Sequence, residues 1–270
     1  MNSYTTLSML KSVLKLSVTT YDTLLSELME ISSREVDDIC GRQFYVETDT
    51  RYFDPPERGA VLIVDDLLSV TSIAQDTDDD LDYTDEVWDS GDYLLLPHNE
   101  WPKTRILLHP NGDYFWGSVP KGVKVVGSFG FGDGETASPW TTTAITCTVA
   151  TTDGMSVTVS ADGTLLVGHT ILVGSEQMYV SGTATGTITV TRGVNGTTAA
   201  IHSAAAASVA KYPAVVGQAT RLLAAQLYKT QATQEMLSER IGNYSYTRAT
   251  STEYSRGIQR FLGPYQRVVF

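Results

Sequence analysis

The sequence predicts an α+β fold, in which a helical body with a small antiparallel sheet carries an inserted all-β domain. Apolar residues recur at helical spacing before residue 40 and again after Pro213, whereas between Phe44 and Phe131 they follow a period of two. Near Thr141 the composition changes abruptly and charged residues almost disappear. We therefore expect the first part of the body at 1–140, the insert at 141–211, and the rest of the body at 212–270.

A pair of helices begins the chain. Leu7, Leu10 and Val13 have the spacing of one helix face, and a second helix is predicted to run to about Cys40. A threonine of the break at 17–20 is expected to cap the second helix, and Gly41 to end it. After residue 213 we predict a long C-terminal helix, Ala214–Met236, with a further helix at Ser251–Leu262; Pro213 suits the first helical position.

Short strands separated by proline and glycine turns are predicted between the helices. In the body they are Arg51–Phe53, Ala60–Val64, Leu67–Ala74, Asp92–Leu96, Arg105–Leu108 and Val123–Phe131. In the insert they are Thr146–Ala150, Met155–Val159, Thr170–Val173, Gln177–Ser181 and Thr187–Thr191. Alternating valine and threonine in evenly spaced strands is typical of a compact barrel or sandwich. An inserted domain also needs chain ends that lie close together, here near Trp140 and Tyr212.

Charge is distributed unevenly along the chain. Residues 1–139 carry a net charge of −15, residues 140–210 of −2, and residues 211–270 of +5. An acidic body is poorly suited to coating nucleic acid, so the sequence argues against a chain that binds DNA over its whole surface. The basic end can dock on an acidic partner or simply be a solvated terminus.

The cysteines and the hydropathy pattern indicate the cellular compartment in which we expect the chain to be assembled. Cys40 and Cys147 are far apart and form no disulfide framework, as expected for assembly in a reducing cytoplasm. No apolar run reaches the length that crosses a bilayer, and no signal-peptide pattern is visible at the N-terminus. We expect no contact with a membrane.

An acidic run, Asp76–Glu86, invites comparison with a calcium-binding loop. Such a loop starting at Asp76 requires glycine at its sixth position and glutamate at its twelfth, where this chain has Leu81 and Val87. A solvated hairpin loop is the favoured interpretation, and a weak non-standard cation site is the alternative. Four carboxylates of this loop are also candidates for lining a channel: Asp78, Asp79, Asp80 and Asp82.

The motifs of common enzymes are missing from the sequence. The four histidines lack the spacing of a zinc site, and we interpret them as surface or turn residues. There is no Gly-x-Ser-x-Gly motif for a serine hydrolase and no phosphate-binding Gly-x-x-x-x-Gly-Lys loop. We therefore expect no catalytic residues, no metal and no cofactor.

The C-terminal segment is the strongest candidate for an interaction site. Its arginine and aromatic residues are the types favoured as anchors in protein interfaces. The candidates are Arg240, Tyr244, Tyr246, Arg248, Tyr254, Arg256, Arg260, Phe261, Tyr265, Arg267 and Phe270. We expect this segment to become ordered only on assembly. An alternation of aromatic and basic residues also suits binding to single-stranded nucleic acid. We rank this interpretation second because the acidic body would repel nucleic acid.

An ordered set of local patterns resembles the head–tail connector (adaptor, or head-completion) proteins of tailed bacteriophages. The patterns cover most of the body, about two thirds of the chain. They are Tyr4-Thr-Thr-Leu7 with Leu10-Lys11, Leu24-Leu25 with Ile31-Ser-Ser and Cys40-Gly-Arg-Gln-Phe44, Asp92-Tyr-Leu-Leu-Leu-Pro97, Val123-Lys-Val-Val-Gly-Ser-Phe-Gly130, the proline-led helix, and Glu239-Arg-Ile-Gly-Asn-Tyr-Ser245. The insert, from Gly168 through Glu176 and Arg192 to His202, resembles a β-rich module of phage structural proteins.

The resemblance implies a structural virion protein without catalytic residues, in which the predicted helical body is the adaptor body. Its expected partners are the portal protein, neighbouring copies in a dodecameric ring, and the next tail-side connector or tail terminator protein. Double-stranded DNA would pass through the ring, at the neck of a virion assembled in the cytoplasm of the host bacterium. The C-terminal segment is expected to dock on the portal.

Two other functions stay open at this point. The β insert could be a binding module that recognises a glycan or protein on the host surface, although it lacks the tryptophans typical of a sugar platform. A small hydrolase is the third hypothesis, and it is disfavoured because no hydrolase motif is present.

Overall fold

The computed structural model describes residues 1–84, 86–112, 114–232, 238–241, 244–247 and 251–267. For the described residues from 232 to 256, only the backbone is described. Within these residues the chain forms four helices and fourteen strands. The strands form a six-stranded sheet, a closed six-stranded barrel and a separate two-stranded hairpin.

Three helices form one layer of the body: α1 (Leu7–Leu14), α2 (Asp22–Cys40) and α3 (Ala214–Ala232). The Thr6 hydroxyl accepts a hydrogen bond from the Met9 amide and caps α1. The residue preceding α2 is Tyr21, which makes no side-chain cap, so the predicted threonine cap is wrong. Gly41 ends α2 in the left-handed conformation (φ +63°), as predicted.

The body sheet is antiparallel throughout. Its strands are β1 (Glu47–Phe53), β2 (Val61–Gln75), β3 (Glu86–Trp88), β4 (Tyr93–Leu96), β5 (Lys103–Leu108) and β6 (Val123–Phe129). They are ordered β1-β6-β2-β5-β4, and β3 pairs with the C-terminal end of β2. One face buries its own apolar cluster, which includes Leu67, Ile73, Ile106 and Phe129. The sheet thus has a core of its own, separate from that of the helices.

The barrel contains β7 (Trp140–Val149), β8 (Ser156–Val159), β9 (Thr170–Val173), β10 (Glu176–Ala184), β11 (Thr187–Thr191) and β12 (His202–Ala210). It closes in the order β10-β11-β8-β7-β12-β9. The sequence predicted five of these strands and missed β12, because its four consecutive alanines have a low preference for strands. Pairing with β7 and β9 on both sides forms β12 against that preference.

The first and last strands of the barrel leave the body side by side. Trp140 pairs with Ala210, and the Lys211 amide donates to the Pro139 carbonyl at 2.8 Å. The Lys211 ammonium also binds the carboxylates of Asp133 and Glu135, at 3.0 and 3.1 Å. The chain ends of the barrel are therefore adjacent, which is the geometry that an insertion requires.

The barrel is also attached to the body at a second place, through the N-terminal segment. The side chains of Asn2 and Asn195 form two hydrogen bonds with each other, of 2.6 and 3.0 Å. Asn195 further donates to Gln177 at 2.8 Å, and its carbonyl accepts from the Thr48 amide of β1 at 2.9 Å. Two separated attachments restrain rotation of the barrel relative to the sheet.

Close approach at this attachment depends on Gly196. Its φ is +75°, and a Cβ there would overlap the Thr48 carbonyl oxygen. We expect Gly196→Ala to cost about 1–2 kcal/mol for the left-handed backbone and about 1–3 kcal/mol more for the overlap, as measured by denaturant unfolding. The control is Gly186→Ala, which has φ +71° and no atom within 4 Å of the added carbon. Equal losses in the two variants would contradict the close contact.

The structure corrects the predicted fold class. The four helices account for 22% of the chain, and more of the described residues lie in strands than in helices, so the helical adaptor body is wrong. The long C-terminal helix is also wrong: α3 ends at Ala232 within the described residues, and it is followed by the hairpin β13 (Ser238–Ile241) and β14 (Tyr244–Thr247) and by α4 (Ser251–Leu262). Sequence periodicity located most strands of the sheet but missed β3, and it divided β2, which spans fifteen residues, into two strands. No described helix combines the length and apolar character needed to cross a membrane.

Candidate docking surfaces and buried polar centres

The C-terminal segment packs on its own chain where its side chains are described. Ile258 and Leu262 of α4 are 2% and 0% exposed, in a cluster with Val36, Phe44 and Val216. The expectation that this segment becomes ordered only on assembly is therefore wrong for residues 257–267. The helices and Phe44 present an apolar surface that α4 covers, because leaving such a surface in water is unfavourable. Removing residues 245–270 would consequently open this core.

The chain beyond α4 is also held by the body. The Tyr265 ring lies 6.2 Å from Phe44 and 5.8 Å from Phe131, in edge-to-face arrangements. The Arg267 guanidinium donates to Asp65 at 2.7 Å, and its amide donates to the Cys40 carbonyl at 2.8 Å. These two interface candidates therefore have structural contacts within one chain.

Two candidates remain available to a partner. Arg260 is exposed on the side of α4 opposite Ile258 and Leu262, and Phe261, which flanks that buried side, is 60% exposed. The backbone of five others lies in the hairpin or in α4, while their side chains are outside the description: Arg240, Tyr244, Tyr246, Tyr254 and Arg256. Arg248 and Phe270 lie outside the described residues.

The acidic run forms the loop of the β2–β3 hairpin, as predicted. The Asp76 carboxylate is fully buried and accepts hydrogen bonds from the amides of Asp78, Asp79 and Leu81. Carboxylate oxygens of Asp76, Asp78 and Asp80 lie within 4.8 Å of one another and could each supply one ligand to a cation. The four channel candidates, Asp78, Asp79, Asp80 and Asp82, are all exposed.

A tyrosine hydroxyl forms a buried polar centre that the sequence did not predict. Tyr4 is 5% exposed; its hydroxyl donates to Asp37 at 2.6 Å and accepts from Arg34 at 3.0 Å and from the Phe44 amide at 3.1 Å. Burial and the Asp37 charge raise the pKa of Tyr4 well above its ordinary value. Burial raises the pKa of Asp37 to about 6. The Tyr4 hydroxyl oxygen thereby connects the N-terminal segment with α2 and with Phe44, which precedes the sheet.

A second buried centre closes one end of the barrel. Glu176 is fully buried and accepts from Arg192 Nε and Nη2 at 2.6 and 2.7 Å. His202 Nε2 lies 2.8 Å from the same carboxylate, and the amides of Gly193 and Ala200 also donate to it. His202 is 8% exposed, so its assignment as a surface or turn residue is wrong. Its partner is 26 residues away, and only barrel closure brings the two together.

This centre predicts how the barrel responds to acid. Burial acts to raise the pKa of Glu176, but the hydrogen bonds from Arg192, Ala200, His202 and Gly193 outweigh it and lower the pKa from 4.5 to about 2. A lowered carboxyl pKa stabilises the fold above the unfolded value, so this contribution is full above about pH 4.5 and is lost as the pH falls toward 2. Urea unfolding as a function of pH would measure it. Glu176→Gln should remove this component of the pH dependence, and an unchanged profile would contradict the assignment.

The cysteines and histidines of the described residues also have structural surroundings. Both cysteines are free and buried. Among the described residues, no histidine hydrogen-bonds to a serine or cysteine side chain. Burial lowers the pKa of His169 to about 4, and its Nδ1 accepts from the Leu166 amide. The hydrogen bonds and ion pairs of the two buried centres connect strands and loops, so their ionisable groups have a structural role.

When the chain is compared with known proteins, no protein-family model and no curated protein matches it.

Proposed function

We propose that this chain is a structural adaptor of a tailed bacteriophage that forms a ring beneath the portal and continues the DNA channel toward the tail. In this proposal it acts at the neck of the virion, with no catalytic step. It contacts the portal through its C-terminal segment and the next tail-side protein through loops of the body.

One observation carries the proposal: three of the segments that carry the resemblance to connector proteins converge on one packed core. Tyr4, Phe44 and Val216 come from three of these segments and belong to a single apolar cluster. Another segment, Val123–Gly130, packs mainly in the core of the sheet, but its end lies against Tyr45 at the edge of the helix cluster, where a Cβ on Gly130 would overlap the Tyr45 carbonyl oxygen. Segments far apart in sequence are thus parts of one structural centre.

The two attachments between the barrel and the body support a spacer. The barrel is attached to the body both at the Trp140–Ala210 pair and at the Asn2–Asn195 contact. Inside the barrel, the buried Glu176 carboxylate forms hydrogen bonds with Arg192 and His202. A connector must transmit position between head and tail, and a body that holds its parts at fixed relative positions meets that need.

The test is electron microscopy of the portal from the same phage, incubated with an excess of this chain. We expect an additional ring of density on one end of the portal, with the portal alone as the control. Portals that stay bare at saturating chain concentration would contradict the proposal. Binding of the chain to host cells without any portal would instead favour the host-surface module.

A further inference from the structure

Two helix faces of this chain are exposed and opposite in character. The first is the α2 stripe, defined as Glu27, Ile31, Glu35 and Asp38, which follow one another at intervals of four, four and three residues on one side of the helix. Ile31 is 55% exposed at its centre. None of its three carboxylates has an ion-pair partner among the described side chains. Burial, and to a lesser extent the nearby Asp38 charge, raise the pKa of Glu35.

The second is the α4 face, defined as Gly257, Arg260 and Phe261. Phe261 is 60% exposed beside Arg260, which has no ion-pair partner in the described part of the chain. Gly257 lies inside a helix, where alanine would be more stable, yet no described atom of the chain comes within 4 Å of the Cβ it lacks. Nothing in the chain itself requires a glycine there, whereas a second helix approaching closely would.

The two faces cannot meet within one chain. Val36 and Cys40 of α2 and Ile258 and Leu262 of α4 share one buried cluster, from which the stripe and the face are both absent. Ile31 and Phe261 stay exposed, and among the described side chains Arg260 forms no ion pair with the stripe. Contact between them therefore requires two chains. A contact between different surfaces of identical chains repeats from copy to copy, and it closes into a ring when the rotation allows.

We infer that the α4 face of one copy docks on the α2 stripe of the next, with Phe261 against Ile31 and Arg260 among the carboxylates of the stripe. Opposite charge and an exposed apolar side chain at the centre of each surface select a second copy as the occupant. The inference rests on the proposed ring, and it assigns this part of the C-terminal segment to the neighbouring subunit and not to the portal.

Disulfide trapping tests the contact directly. Full-length Ile31→Cys and Phe261→Cys chains, each changed at an exposed site, are mixed in equal amounts and oxidised with oxidised glutathione; the native Cys40 and Cys147 are buried. We expect a linked dimer that is several-fold more abundant in the mixture than with either variant alone. Equal yields in all three samples would overturn the inference.

Charge exchange provides the second measurement, by sedimentation velocity at increasing chain concentration. Arg260→Glu should weaken self-association by at least tenfold, and adding Glu27→Lys and Glu35→Lys to that variant should restore it. Gly257→Ala should weaken association while making the isolated chain more stable to heat, a combination that a purely structural role would not produce. Loss on Arg260→Glu without restoration by the lysines would overturn the assignment of the α2 stripe as the partner.

The portal experiment separates this inference from the proposed function. If the disulfide between positions 31 and 261 forms but the chains never bind a portal, the subunit contact is supported and the proposed adaptor function is contradicted. Ring density on the portal without that disulfide would contradict the subunit contact and leave the adaptor standing.

Discussion

Phe44→Ala is expected to lower the free energy of unfolding by about 3–5 kcal/mol. The Phe44 ring is fully buried and touches three other aromatic rings, with centroid distances of 5.6 Å to Tyr4, 5.3 Å to Phe131 and 6.2 Å to Tyr265. Truncation would leave a cavity between the N-terminal segment, the sheet and the C-terminal turn, which cannot all collapse into it. Denaturant unfolding followed by circular dichroism would measure the loss.

The matched control for this variant is Phe115→Ala. Phe115 is 80% exposed, so the same chemical change there should alter stability by less than about 0.5 kcal/mol. Comparable losses at both positions would contradict the central place of the Phe44 ring.

Arg192→Leu is expected to cost about 3–5 kcal/mol, because it leaves Glu176 buried without its countercharge. Arg192 also donates to the carbonyls of Thr151, Gly154 and Ala200, so its loss releases two loops at one end of the barrel. Thermal and denaturant unfolding would measure the effect. Hydrogen exchange should show it first in β10 and β12, which carry Glu176 and His202.

Arg105→Leu is the control, because Arg105 is exposed on β5 and the same substitution there removes no buried ion pair. We expect a change within about 0.5 kcal/mol. If Arg192→Leu proved equally mild, Glu176 would have to reach solvent or bind a proton, and its lowered pKa would not describe the native barrel.

Local patterns in the sequence predicted those features that short-range forces determine. The helix end at Gly41 and the hairpin loop after β2 depend on a few adjacent residues, and both are found in the structure. The change of composition near Thr141 likewise marks the start of the barrel strands. In each case the backbone preference of neighbouring residues is sufficient, because the energies involved act within one turn or one hairpin.

The proportion of helix and strand was predicted less well, since it depends on tertiary pairing. The alanines of β12 form a strand only because β7 and β9 lie on either side. The amphipathic pattern of α4 indicates that one side is buried but does not say against what, and a partner protein was assumed where the chain supplies its own surface. Hydrophobic burial is non-directional, so a sequence pattern does not identify the partner surface.

The sequence by itself determined the positions of α1 and α2, of most strands of the sheet and the barrel, and of the helix end at Gly41. Only the tertiary structure decided that Tyr4 joins Asp37 and Phe44, that Glu176 meets His202, and that Arg260 and Phe261 stay exposed while Ile258 is buried. The physical reason is that the hydrogen-bonded pairs are separated by 26 to 40 residues, and that Ile258 packs in one cluster with Val36 and Phe44 from the other end of the chain. Their contacts arise from the closure and packing of the whole chain, which no short stretch of residues encodes.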